Sequence, residues 1–196
     1  MNCLLIKNAD VYAPQPLGIV DLMIINDKIA KIGQQLAAPQ GLDCQILDAQ
    51  KRKVVPGYVD QHVHIIGGGG ESGPYSRTPE INLSELTKVG ITTVVGVLGT
   101  DGTSRHSESL LAKARGLTHE GITAYMLTGS YEIPLHNMTG DVRRDIILIN
   151  ECLGIGEVAL SDHRSSQPTR EELEKVLTQA RLGGMLSGKA GVVQFH

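Results

Sequence analysis

The sequence predicts an α/β fold in which a small β lobe, residues 1–55, precedes a run of parallel βαβ units, residues 56–196. Two observations carry that prediction. Before Pro56 the apolar segments are short, rich in Ile, Leu and Val, and separated by turn signals, with no strong helical period. After Pro56, apolar strand-like runs alternate with helix-like segments, the pattern of strands buried on both faces of a parallel sheet. Such a sheet closes either as a doubly wound layer or as a (β/α)8 barrel, and the barrel ordinarily takes about 250 residues and eight strands. Five strand-like segments lie in 56–196 and the fifth reaches the final residue, so the chain is expected to be a truncated piece of a longer polypeptide.

Each element has its own local reason. LLIKNADVY, VDLMIINDKIAKIG and CQILDA form the strands of the lobe, broken at Asn26-Asp27 and at Ala38-Pro39-Gln40-Gly41, and Val54-Val55-Pro56-Gly57 punctuates its end. GYVDQHVHII is the first strand of the second unit. NLSELTKVG follows as a short helix, with Asn82 and Glu85 placed as a capping box. TTVVGVLGT is the second strand. HSESLLAKARGLTHEG is helical, with Leu110, Ala114 and Leu117 on one face and Gly121 just past its end. ITAYMLTGS is the third strand and GDVRRDIILINECLG the third helix. IGEVALSDH is the fourth strand, TREELEKVLTQARLGG the fourth helix with Thr169 and Glu172 as a second capping box, and GVVQFH the fifth strand.

Composition narrows the function. Hydrophobic residues make up 41% of the chain, ample for a core, but there is no tryptophan and Phe195 is the single phenylalanine, so the core rests on Leu, Ile and Val. A net charge of −3 lacks the clustered basic excess of a nucleic-acid binder. Cys3, Cys44 and Cys152 are odd in number, widely spaced and without a CxxC, which reads as three reduced thiols rather than a disulfide framework. No basic stretch followed by a long apolar run opens the chain, and no window of about 18 apolar residues occurs. The cytoplasm is the expected address, with no membrane among the partners.

The chemistry gathers at the strand ends. His62 and His64 stand two apart on a strand and project from one face, the spacing that grips a single metal ion. Glu157 interrupts the apolar run Gly154–Leu160, where an ionised carboxylate must be paired or metal-bound. His196 ends the next strand as His64 ends the first. Histidines with a carboxylate suit zinc or another borderline metal, and a carboxylate bridging two ions would let them share an acidified water for attack on an amide carbonyl. Two such sites need more ligands than these, expected downstream of His196.

Between His64 and Pro74 runs Gly67-Gly68-Gly69-Gly70-Glu71. A phosphate loop would precede a helix and carry Lys-Ser or Lys-Thr. Neither holds here, and Gly183–Ala190 matches GxxxxGK only up to an Ala in place of the magnesium-binding Ser or Thr. Nucleotide binding is excluded on that ground. The glycines read instead as clearance for substrate beside the metal, with Glu71 available to a ligand ammonium group. Arg164 could hold a carboxylate in a bidentate fork, and Tyr131 could donate its phenol to a developing oxyanion. Together they suit a small zwitterionic amide such as a dipeptide.

The stretches Val55–Pro74 (VPGYVDQHVHIIGGGGESGP), Gly96–Asp101 (GVLGTD), Met126–Tyr131 (MLTGSY) and Ser161–Ser165 (SDHRS) resemble those of isoaspartyl dipeptidases in the amidohydrolase superfamily of metallo-dependent hydrolases. The resemblance implies a (β/α)8 TIM-type barrel, of which the first five βα units are present. It implies a hydrolase that cleaves β-aspartyl dipeptides through a metal-bound hydroxide, with two Zn2+ per complete subunit, and a homo-oligomer. Under it, His62 and His64 match ligands of one ion and His196 a ligand of the other. Gly69, Glu71, Thr100, Tyr131 and Arg164 match substrate-binding positions, with Tyr131 polarising the scissile carbonyl. One departure stands out: Glu157 occupies the position of a carbamylated lysine, and would supply the bridging carboxylate without modification. Alternatives are an amidohydrolase of a cyclic amide, of dihydropyrimidine or hydantoin type, and a non-catalytic homologue without a complete metal centre.

Overall fold

A computed structural model describes residues 2–196. It divides the chain into two compact units, Met1–Pro56 and Gly57–His196. In the first, β1 (Cys3–Tyr12), β2 (Pro16–Ile25) and β3 (Lys28–Gly33) form an antiparallel meander, while β4 (Cys44–Asp48) and β5 (Lys53–Val54) both run parallel to β1. Asn26, at φ 56, sits in the β2–β3 turn marked by the Asn-Asp pair. Ala9, Val11, Leu22 and Ala49 pack as the core of this lobe. Asp21 is buried among them. Its carboxylate accepts from Lys7 Nζ at 2.6 Å and from the backbone N–H groups of Asn8 and Leu36 at 2.9 Å. Those bonds, the one from Lys7 foremost, hold it below the usual carboxylate range.

The lobe corrects the expectation of three reduced thiols, because Cys3 and Cys44 form a disulfide. The reason lies in register. Cys3 is the direct parallel partner of Cys44 across β1 and β4, so two residues 41 apart in sequence face one another 4.5 Å apart at Cα. Linear spacing carries no trace of that pairing. Cys152 stays free and buried, its thiol pushed up to about 12 by burial.

In the second unit, β6 (Tyr58–Val63), β7 (Ile91–Gly96), β8 (Thr123–Thr128), β9 (Cys152–Val158) and β10 (Val192–Phe195) make an all-parallel sheet in chain order. α1 (Leu83–Thr87), α2 (Ser107–Glu120), α3 (Val142–Leu148) and α4 (Arg170–Ser187) connect consecutive strands. Alternation along each strand sorts the two faces. Val94, Met126 and Ile155 turn to the helices and pack with Leu86, Leu110, Leu117, Ile146 and Val176, while Val95 and Leu127 form a separate cluster on the other face. The predicted helix face of Leu110, Ala114 and Leu117 is fully buried, and both predicted capping boxes are present. The sheet is curled: Gln194 on β10 touches His62 on β6, although these are its opposite edge strands. It is a curled parallel half-barrel of five strands and four helices.

The third helix is shorter than predicted. Asn150 and Glu151 lie in a turn, and Cys152 begins β9. The apolar run there fits either state, and pairing with β8 settles it as strand. No described helix is long and apolar enough to cross a membrane.

Candidate metal centre

β6 ends at Val63, so His62 is its penultimate residue and His64 follows directly. Glu157 is the penultimate residue of β9, and His196 follows β10. In a parallel sheet these C-terminal ends share one rim, and the side chains converge there. Glu157 Oε2 lies 2.9 Å from His62 Nε2 and 3.8 Å from His64 Nε2, and its Oε1 lies 4.0 Å from His196 Nε2. Ligand atoms of His62, His64 and Glu157 all fall within 4.8 Å of one another. His196 stands slightly apart, its Nδ1 3.5 Å from Asp162 Oδ2. Gly99 makes room for His64, since a Cβ there would stand 2.6 Å from the ring at a φ of +78.

The carboxylate of Glu157 is 1% exposed. Despite its closeness to His62, Oε2 accepts no aligned hydrogen bond, and the buried Nδ1 of His64 also has no partner. A buried anionic oxygen in that state is unfavourable. Two imidazoles beside an orphaned carboxylate oxygen are a donor set that a divalent cation of the zinc class would satisfy. The residues present fit a metal.

Tyr131, just after β8, is buried with its ring centre 4.8 Å from that of His196. Burial first, then the neighbouring Glu157 carboxylate, push its phenol up to about 12. Arg164 lies over the same ring, its Cζ 5.0 Å from the centre. Its guanidinium is clamped by Asp162, with Nε to Oδ1 at 2.8 Å and Nη2 to Oδ2 at 2.7 Å, and it reaches Glu71 Oε1 through Nη1 at 2.9 Å. Asp162 is held far below the usual carboxylate range by these bonds, and Arg164 is raised by the same contact. Glu71 and Arg164 therefore pair with each other here.

The glycine run has a structural cause that the sequence reading missed. A Cβ on Gly67 would meet the Thr78 carbonyl at 2.1 Å, and one on Gly69 the Ser76 carbonyl at 2.7 Å. The loop folds back against residues 76–78, with Gly68 and Thr78 exchanging hydrogen bonds. Arg105, buried at 4% exposure, donates to the carbonyls of Gly68 at 2.8 Å and Gly69 at 3.1 Å. Thr100 sits in the turn after β7 and its carbonyl accepts from Gly102 N–H. His62, His64, Glu157, His196, Tyr131, Arg164 and Glu71 thus form one continuous chain of contacts. Asp162, Arg105 and Gln194 are the neighbours that sequence reasoning did not single out. Polar residues in loops and on a strand edge carry no signal of their own.

No known protein-family model matches the chain. Among solved structures it is similar to the β-aspartyl dipeptidase of the thermophilic keratin-degrading Fervidobacterium islandicum AW-1, with 46% identity, a TM-score of 0.94, and coverage of 99% of this chain and 53% of that one. A structure of that organism's β-aspartyl dipeptidase in complex with β-Asp-Leu dipeptide matches equally, at 46% identity and a TM-score of 0.93. D-hydantoinase, at 21% identity and a TM-score of 0.65, shares the fold. Among curated proteins, imidazolonepropionase of Photorhabdus laumondii is 28% identical over 60% of this chain and 29% of its own length. Dihydroorotase of Staphylococcus aureus is 37% identical over 46% of this chain and 20% of its own length. The chain spans about half the length of the dipeptidases and less than a third of these curated relatives.

Proposed function

We propose, on the premise that the chain belongs to the amidohydrolase superfamily and follows β-aspartyl dipeptidase along 99% of its length, that the whole protein is a metal-dependent hydrolase of β-aspartyl dipeptides. The observation that carries this is the orphaned Glu157 carboxylate oxygen between His62 and His64, with the Tyr131 phenol beside it. We assign zinc, two ions per complete subunit, which His62, His64, Glu157 and His196 would hold, with the Glu157 carboxylate standing in place of a carbamylated lysine. Such ions supply Lewis acidity and a water acidified toward neutrality.

The chain's own residues do the rest. Tyr131 keeps its proton throughout the physiological range and donates it in a hydrogen bond to the carbonyl oxygen as charge develops there. Asp162 fixes the Arg164 guanidinium plane, so that Arg164 can exchange Glu71 for a substrate carboxylate without reorienting. Glu71, released from that pair, takes the substrate's ammonium group. The swap replaces one ion pair by two, which selects a zwitterion over a neutral ring. Gly69 and Thr100 complete the substrate wall. A small dipeptide as sole ligand, a cytoplasmic address and a homo-oligomer complete the reading. The net charge of −3 gives no footprint for nucleic acid.

Metal analysis of the complete protein, with β-Asp-Leu and a hydantoin as paired substrates, tests this. We expect bound zinc, hydrolysis of β-Asp-Leu that a chelator abolishes, and no turnover of hydantoin. Turnover of the ring amide alone would move the substrate class to cyclic amides, and a protein that binds no zinc would be a non-catalytic homologue.

A further inference from the structure

A side-chain hydrogen bond links the two edge strands of the parallel sheet. Gln194 Nε2 on β10 lies 2.6 Å from His62 Nδ1 on β6, while Gln194 Oε1 is buried with no hydrogen-bond partner. With the amide placed this way, Nε2 donates to Nδ1. His62 then carries its ring proton on Nε2, 2.9 Å from Glu157 Oε2. A half-turn about the last side-chain bond exchanges the two ends of the amide, which are nearly identical in shape. The stranded Oε1 would then accept a proton on Nδ1, and the Nε2 lone pair would face the Glu157 carboxylate. Only that second tautomer can ligate a cation through Nε2.

We infer that Gln194 is a positioning residue for the metal centre, whose amide turns to hold His62 as the Nδ1–H tautomer when a cation binds. The inference rests on the metal-centre reading above. The partner oxygen on a metal-bound histidine is more often a carboxylate or a backbone carbonyl, which can only accept. An amide can serve both tautomers, so His62 stays anchored with or without metal. The backbone keeps Gln194 in place: Val193 and Phe195 pair with Ile155 and Val158 on either side of it. Gly156 gives it room, since a Cβ there would stand 3.1 Å from Gln194 Cβ.

The test compares the full-length parent with Gln194→Leu and Gln194→Glu. Zinc affinity of the metal-stripped proteins is read by competition with a chromophoric chelator, and the histidine tautomers by ring-nitrogen NMR. Gln194→Leu should bind zinc about 10–100-fold more weakly. Gln194→Glu, which keeps an acceptor, should bind within a few-fold of the parent. In the parent, the His62 proton should move from Nε2 to Nδ1 on zinc loading, a reading that needs neither variant to fold. Equal affinity of Gln194→Leu and parent, a Gln194→Glu as weak as Gln194→Leu, or an unmoved proton would each overturn the role of Gln194 while leaving the metal centre intact. A parent that binds no zinc would overturn both.

Discussion

A phenol pushed up to about 12 remains a hydrogen-bond donor at neutral pH, and the role proposed for Tyr131, beside Glu157 and His196, rests on that donor. Removing that single donor with Tyr131→Phe should lower kcat for β-Asp-Leu by about 10²–10³-fold. Zinc content and KM should stay within a few-fold, because Tyr131 lies outside the His62–His64–Glu157 cluster. Steady-state kinetics with metal analysis of the same sample checks this, and a fall in zinc content would assign Tyr131 to the metal site instead. At this scale the sequence reveals residues that break a pattern. Two histidines at a strand end and a glutamate inside an apolar strand are legible because each is costly where it stands unless something compensates. Gln194, Asp162 and Arg105 break no pattern. Their parts depend on which strands and loops the fold brings together, and Gln194 meets His62 from 132 positions away.

Elements were legible where one periodicity dominated and illegible where pairing decided. The face of α2 and both capping boxes follow from local spacing, whereas the start of β9 and the Cys3–Cys44 bond follow from strand partners. The glycine loop belongs to the second kind, because its conformation depends on Arg105, which grips two of its carbonyls. A lysine cannot span both with a planar fork. Arg105→Lys should therefore raise KM for β-Asp-Leu by about 10-fold with a smaller effect on kcat, and cost about 1–3 kcal/mol of stability; kinetics and denaturant unfolding read the two effects. In the β lobe, Asp21 ties β1, β2 and the segment at Leu36 together through three hydrogen bonds. Its folded-state pKa is lowered, so its contribution is present above the ordinary carboxylate pKa of about 3.9 and lost as pH falls through the folded value. Asp21→Asn should cost about 1.5–3 kcal/mol at pH 7, and the difference from the parent should shrink when unfolding is repeated near pH 3.

The parallel sheet of residues 57–196 ends on β6 and β10, and neither has a strand on its outer side among the described residues. Its other face is lined by Val59, Val95, Tyr125, Leu127, Leu153 and Val192, with Val59 58% exposed. Unpaired strand edges flanking an apolar face are a template for association. The metal centre depends on the same curl, because His62 and His196 come from the two edge strands and meet Glu157 only if the sheet keeps its curvature. The chain 1–196 by itself should therefore self-associate, elute above its monomer mass of 21.0 kDa, and show little of the zinc affinity and β-Asp-Leu hydrolysis proposed above for the whole protein. Light scattering after size exclusion, with zinc titration of the same fractions, checks each part. A monodisperse monomer that binds zinc and turns over dipeptide like the complete protein would show that the curl is set by β6 to β10 and their helices alone, with no need of further strands to close against the two edges.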